Sequence, residues 1–182
     1  SDAHVDVMGY ACLVAIMSMG RGYHCVSEVN LHQETVANDF PTPIVTSAGA
    51  LINGLKVLGA KQISIITPYM RPLTDMVVDY IEHQGIKVKE SIALEIPDNL
   101  EVAAQNPMNL LEIYKQLDLT DVDVLVVSAC VQMPSLEAID LIQAECGIPV
   151  TSAAVCTTYE MMKKLGIEAK SAIGGELLSG KY

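Results

Sequence analysis

Short apolar, β-branched runs alternate with stretches of helical spacing along most of the chain, and this alternation is the feature that most constrains its fold. Strands are predicted at residues 4–10, 61–67, 86–94, 122–128 and 148–152. Helices are predicted at residues 47–59, 72–84, 106–117, 134–146 and 155–165, several of which end close to a glycine. Strands that alternate with helices predict an α/β fold in which parallel sheets carry helices on both faces.

The segment from residue 21 to residue 46 follows neither periodicity. Its Pro41 and Pro43 exclude a continuous helix through the whole stretch, because proline lacks the N–H that a helix interior needs. We therefore expect a loop here, leading into the helix that begins at Ser47.

Two stretches form a weak internal repeat: VDVMGYACLVA at residues 5–15 and VDVLVVSACVQMPS at residues 122–135. In each copy a predicted strand gives way to a predicted helix at an Ala-Cys pair, which ends in Cys12 or Cys130. Open parallel sheets bind ligands at the carboxyl ends of their strands. The repeat therefore predicts two pseudosymmetric lobes with an active site in the cleft between them, one cysteine on each side.

The same repeat sets the expected lobe boundaries. Residues 1–58 together with 155–182 are assigned to the first lobe, and residues 59–154 to the second. The first copy begins almost at residue 1, whereas a whole βαβα unit precedes the second copy. The first lobe is therefore expected to be incomplete at its N-terminus.

The composition of the chain limits the classes of partner that it is expected to bind. With 11 Lys and Arg against 22 Asp and Glu, the formal net charge of -11 repels a phosphate backbone, so nucleic acid is not expected. Polar residues interrupt each apolar run before the roughly 18 residues of a membrane helix, so no membrane partner is expected. The five cysteines are odd in number and form no CxxC pair, and no signal segment opens the chain, which predicts reduced thiols in the cytoplasm.

A cysteine at a helix N-terminus is favoured as the thiolate, which is a nucleophile or a base. The free N–H groups there can hold a carboxylate, and the predicted donors are those of Leu13, Val14, Val131 and Gln132. A free cysteine is otherwise usually an inert, buried small side chain, the interpretation given to Cys25, Cys146 and Cys156. No metal site is predicted, because the histidines show no ligand spacing with the cysteines.

Tyr69 and Asn99 are further candidates because each follows a predicted strand. The Tyr69 phenol could donate a hydrogen bond to a carboxylate, or could simply pack at the edge of the core. Asn99 could hold substrate, or could serve as the N-cap of a helix.

With these residues assembled, the chain resembles the maleate cis-trans isomerases of the Asp/Glu racemase superfamily. The resemblance rests on DVMGYACLVA, ISIITPYMRPL, EIPDNLEVA and DVLVVSACVQMPSLEAID, which together extend over nearly the whole chain. It implies that maleate is converted to fumarate without cofactor through a covalent succinyl-cysteine adduct. Cys12 would then be the nucleophile and Cys130 its acid partner. Tyr69, Asn99 and the N–H groups of residues 13, 14, 131 and 132 would hold the carboxylates. A homodimer is also implied.

Three alternatives remain open. An amino-acid or hydantoin racemase would use the two thiols as acid and base on opposite faces of a carbon. An enzyme like arylmalonate decarboxylase is a weaker fit, because that relative keeps only the second cysteine. A non-catalytic protein that binds a dicarboxylate in the cleft would need no opposed thiols.

Overall fold

The structure is a computed structural model, and it describes residues 3–182. Its strands are β1 (Met8–Tyr10), β2 (Ile44–Thr46), β3 (Gln62–Thr67), β4 (Lys87–Ala93), β5 (Val124–Ser128) and β6 (Val150–Ser152). All strand pairs run parallel, in a two-stranded sheet β1-β2 and a four-stranded sheet of order β4-β3-β5-β6. Every residue of β5 is buried, as a strand covered by helices on both faces requires.

The α-helices of the described residues are α1 (Leu13–Met17), α2 (Tyr23–Ala37), α3 (Ser47–Val57), α4 (Arg71–His83), α5 (Asn99–Ala103), α6 (Leu110–Ile113), α7 (Leu136–Cys146) and α8 (Ala153–Lys164). Several of these helices begin at residues that favour a helix N-terminus. Pro72 lies in the first turn of α4, and the Thr46 hydroxyl caps α3 by accepting from the N–H of Gly49 at 3.1 Å. The predicted α/β architecture with parallel sheets is confirmed.

Helices α3 and α8 pack on each other in the core. Gly54 of α3 allows the close approach, because a Cβ atom there would lie 2.6 Å from Sγ of Cys156 and 3.2 Å from Cδ2 of Leu177. The contact joins the two stretches, 1–58 and 155–182, that the sequence assigns to one lobe.

The prediction of a loop at residues 21–46 is wrong. The segment contains the 15-residue helix α2, followed by β2. Hydrophobic periodicity fails to reveal α2 because the residues that it buries are polar, namely His24, Ser27 and Thr35. The two prolines do fall outside the helix, in the connection between Ala37 and Ile44.

The polar face of α2 is held by specific bonds rather than by apolar packing. Oε1 of Glu28 accepts from the N–H of Thr46 at 3.0 Å and from its hydroxyl at 2.8 Å. The Thr35 hydroxyl accepts from the N–H of Thr42 at 3.0 Å. These side chains form hydrogen bonds with backbone N–H groups in and beside β2, which is an edge strand of its sheet.

The prediction of a single helix at residues 106–117 is also wrong. Residues 107–109 and 114–116 form 3-10 turns on either side of the four-residue α6. The Asn106 side chain accepts from the N–H of Met108 at 3.0 Å, a local bond that favours a short turn at this point.

No helix within residues 3–182 combines the length and the hydropathy needed to cross a membrane.

Candidate active site

Four strands end near the residues that the sequence singles out. Cys12 follows β1, Tyr69 follows β3, Asn99 lies beyond β4, and Cys130 follows β5. Because the strands of each sheet are parallel, these residues emerge at the carboxyl edges, where ligands bind in open α/β folds.

Cys12 is exposed and is the N-cap residue of α1, as the sequence predicts. The first backbone bond of this short helix runs from the N–H of Ile16 to the carbonyl of Cys12, at 3.4 Å. The N–H groups of Leu13 and Val14 lie before that bond, so they have no acceptor within the helix and are available as donors.

Cys130 is half-buried, and its predicted place at a helix N-terminus is wrong. Residues 131–135 form a turn, and α7 begins only at Leu136. Pro134 explains the delay, because proline disfavours helical backbone angles in the residue before it. Within residues 3–182 the N–H groups of Val131 and Gln132 donate no hydrogen bond, so both remain available to a ligand.

The Tyr69 phenol is bonded to the backbone next to Cys130. Its hydroxyl donates to the carbonyl of Ala129 at 3.3 Å. Burial raises the pKa of Tyr69 most, and the charge and hydrogen bond of Cys130 and the charge of Cys12 raise this pKa further. Both cysteines therefore act electrostatically on one side chain, and the phenol stays protonated as a hydrogen-bond donor.

Asn99 and Gln132 lie together. Nε2 of Gln132 donates to the backbone carbonyl of Asn99 at 2.7 Å. The alternative that Asn99 caps a helix is wrong, because the Asp98 side chain caps α5 by accepting from the N–H groups of Leu100 at 2.6 Å and Glu101 at 3.4 Å. Asn99 is the exposed first residue of that helix, so its side chain is not used as a cap.

The other three cysteines lie in different surroundings. Cys156 is fully buried, and burial raises the pKa of its thiol to about 12, as expected for an inert core residue. Cys146 is half-buried and its Sγ lies 3.7 Å from the carbonyl of Ile148. Cys25 is exposed, so its interpretation as a packed core residue is wrong; the cause is the unrecognised helix α2, which carries it on its outer side.

A cavity of about 560 Å³ lies beside the turn that follows Cys130. It shares Val131 with the candidate site, but Cys12, Tyr69, Asn99 and Cys130 are absent from its walls. Most of its lining is apolar, for example Met133, Val155 and Ile173. The candidate site stays at the thiols, because Cys12, Tyr69 and Cys130 each follow the carboxyl end of a parallel strand. Among residues 3–182, His, Cys, Asp and Glu form no cluster of three that could hold a metal ion.

Comparison with known proteins shows the family of the chain. The family model for arylmalonate decarboxylase matches residues 5–178. A curated maleate isomerase from Geobacillus stearothermophilus is 54% identical over all 182 residues, which cover 72% of the relative. The chain belongs to the maleate isomerase family. It spans nearly three quarters of the length of this family member.

Two solved maleate isomerases have the same fold. The Pseudomonas putida S16 enzyme, a cysteine-to-alanine variant solved with maleate, gives a TM-score of 0.98 at 58% identity, covering 100% of this chain and 72% of that one. A cysteine-to-serine variant of the Nocardia farcinica maleate cis-trans isomerase carries a covalently bound succinylcysteine intermediate. It gives a TM-score of 0.95 at 38% identity, covering 100% of this chain and 74% of that one. A covalent cysteine intermediate has thus been observed in a member of the maleate isomerase family.

Proposed function

We propose that this chain converts maleate to fumarate through a covalent succinyl adduct on Cys12. The observation that carries the proposal is that Cys12 and Cys130 each follow the carboxyl end of a parallel strand, with the Tyr69 hydroxyl bonded to the residue before Cys130. The succinylcysteine intermediate of the Nocardia farcinica relative supports a covalent route.

The reaction follows from the chemistry of an electron-poor alkene. The Cys12 thiolate adds to one alkene carbon, and the Cys130 thiol gives a proton to the other, so the double bond becomes single. Rotation about that bond brings the carboxylates to opposite sides. Cys130 then removes a proton from the carbon that it protonated, the C–S bond to Cys12 breaks with its electron pair going to sulfur, and fumarate leaves with the Cys12 thiolate and the Cys130 thiol restored.

The carboxylates are held by donors from both sides of the cleft in this proposal. The N–H groups of Leu13 and Val14 serve one side, and those of Val131 and Gln132 serve the other. The Tyr69 hydroxyl and the Asn99 side chain add two polar contacts. Such donors stabilise the negative charge that spreads into a carboxylate when the neighbouring carbon is attacked.

No cofactor enters this mechanism, because the thiols supply the nucleophile, the acid and the base. We expect the full rate of isomerisation after treatment with EDTA and gel filtration. A rate that depends on an added divalent ion would contradict the cofactor-free route.

The rival activities are separated by a proton NMR time course. Maleate, D- and L-glutamate and phenylmalonate are each incubated with the enzyme in deuterated buffer. We expect fumarate to appear from maleate, with no exchange at the α carbon of either glutamate and no loss of carbon dioxide from phenylmalonate. Exchange in glutamate would favour a racemase, decarboxylation would favour the arylmalonate activity, and binding of maleate without turnover would favour a dicarboxylate-binding protein.

We also propose the lobe boundaries drawn from the sequence, 1–58 with 155–182 and 59–154. Two separate sheets and the packing of α3 against α8 support them. A homodimer of 2 × 19.6 kDa, about 39 kDa, is part of the proposal, and sedimentation equilibrium tests it. All five cysteines are free, which fits a cytoplasmic location that fractionation of the source cells would test.

A further inference from the structure

The Ser128 side chain binds the backbone of Cys130. Ser128 ends β5 and is fully buried. Its hydroxyl donates to the carbonyl of Cys130 at 2.7 Å and accepts from the N–H of Cys130 at 3.3 Å. One hydroxyl thus occupies both backbone polar groups of the cysteine.

The residue between them is anchored as well. The N–H of Ala129 donates to the carbonyl of Ile66 in β3 at 3.1 Å, and the carbonyl of Ala129 accepts from the Tyr69 hydroxyl at 3.3 Å. All four backbone polar groups of Ala129 and Cys130 are therefore bonded, and Ser128 supplies the bonds to the cysteine.

Cys12 is held differently. In the internal repeat the position of Ser128 is taken by Tyr10, which is 40% exposed. The Cys12 side chain makes no cap bond to α1, and the Cys12 carbonyl accepts the first backbone bond of that helix. The structure thus fixes the backbone of one cysteine through a buried hydroxyl and that of the other through a short helix.

We propose that Ser128 is a positioning residue for the isomerisation, holding Cys130 where its thiol exchanges a proton with the substrate carbon. The inference rests on the proposed role of Cys130 as acid and base. Removing the hydroxyl leaves the N–H and the carbonyl of half-buried Cys130 without these partners, so the turn after β5 is expected to rearrange. Proton transfer depends steeply on the placement of the donor. The N–H groups of Val131 and Gln132 lie in the same turn, so carboxylate binding on that side changes as well, whereas the N–H groups of Leu13 and Val14 lie on another element.

The test compares Ser128→Ala with Ser64→Ala. Ser64 is a matched control because it is fully buried in the neighbouring strand β3 and its hydroxyl has no hydrogen-bond partner among the described residues. We expect Ser128→Ala to lower kcat on the order of tenfold to hundredfold and to raise KM by a smaller factor, and Ser64→Ala to leave both near wild type. Ser128→Thr, which retains the hydroxyl, should recover most of the rate.

A second readout does not depend on maleate. Iodoacetamide labelling followed by peptide mass spectrometry gives the alkylation rates of Cys130 and Cys12 in the same sample. We expect Ser128→Ala to change the rate at Cys130 several-fold and to leave the rate at Cys12 unchanged. Equal labelling and equal kcat in Ser128→Ala and Ser64→Ala would overturn the inference. Absence of maleate turnover in the wild type would instead count against the proposed function, while the labelling would still decide the role of Ser128 in holding Cys130.

Hydrogen exchange of the wild-type protein provides a check that needs no variant. The amide of Cys130 is bonded to Ser128, whereas the amides of Val131 and Gln132 are free. Slower exchange at Cys130 than at the next two residues is expected. Equally fast exchange at all three would overturn the inference, even if Ser128→Ala fails to fold.

Discussion

The Tyr69 hydroxyl donates a hydrogen bond to the carbonyl of Ala129, 3.3 Å away and one residue before Cys130. The bond ties the end of β3 to the end of β5 directly at the candidate acid. Burial raises the pKa of this phenol most, and the charges of Cys130 and Cys12 raise it further, so the phenol stays protonated as a hydrogen-bond donor.

The first prediction concerns this phenol. Tyr69→Phe removes the hydroxyl but keeps the ring, so the bond to the Ala129 carbonyl and the proposed contact to a substrate carboxylate are both lost while packing is retained. We expect kcat/KM for maleate to fall about tenfold to hundredfold, the effect of one hydrogen bond to a charged group. Tyr159→Phe, in a buried tyrosine of α8, is the control and should match wild type. Equal kinetics in the two variants would remove Tyr69 from the site.

The second prediction separates two adjacent residues. Asp98 caps α5, whereas Asn99 is assigned to substrate binding. Asp98→Ala should lower the free energy of unfolding by about 1 kcal/mol through loss of the cap. Asn99→Ala should leave stability near wild type and raise KM. Urea titration and steady-state kinetics on both variants check the pair, and a reversed pattern would contradict the assignment.

The third prediction is a pH dependence of stability. Nδ1 of buried His24 lies 2.5 Å from the Tyr80 hydroxyl and joins α2 to α4. Burial lowers the pKa of His24, Glu28 opposes this shift and Lys56 adds to it. The folded protein thus disfavours the charged imidazole, so this contribution to stability is complete above the ordinary pKa of 6.5 and is lost as the pH falls through the lowered value.

The measurement is the free energy of unfolding at several pH values above and below that pKa. His24→Asn retains a polar atom near the position of Nδ1 but cannot titrate, so its curve should be flatter than that of the wild type. Parallel curves for the two proteins would show that His24 does not carry the dependence.

The fourth prediction concerns the close approach of α3 and α8. Gly54→Ala places a methyl group 2.6 Å from Sγ of Cys156, which the buried contact cannot accommodate without movement. A loss of about 1–3 kcal/mol in the free energy of unfolding is expected, typical of overpacking. Cys156→Ala should recover part of that loss in the double variant. Additive losses would mean that the strain lies elsewhere.

Strand ends were predictable from the sequence because parallel strands are marked by continuous apolar runs. These runs predict that Cys12, Tyr69 and Cys130 lie at the carboxyl edges of the sheets. The helix α2 was not predictable by periodicity, because its buried side is formed by His24 and other polar residues. Its stability depends on tertiary hydrogen bonds, and the local sequence does not encode those.

The turn after Cys130 is a second local structure that could not be predicted from the sequence. The repeat suggested equal local structure after both Ala-Cys pairs, but Pro134 delays the second helix and the Ser128 hydroxyl holds the turn. Nothing in the spacing singled out Ser128. The available signal was a serine in a strand of valines, two residues before a cysteine, where its hydroxyl can reach the backbone of that cysteine.

The most direct test of the covalent mechanism asks which sulfur carries the substrate. Cys130→Ser and Cys12→Ser are incubated with maleate, quenched in acid and digested with trypsin, and fragment ions locate any added maleate. In Cys130→Ser we expect the added mass on Cys12, in the peptide that ends at Arg21. In Cys12→Ser we expect no adduct. An adduct on Cys130, or no adduct in any variant with both variants equally inactive, would contradict the mechanism.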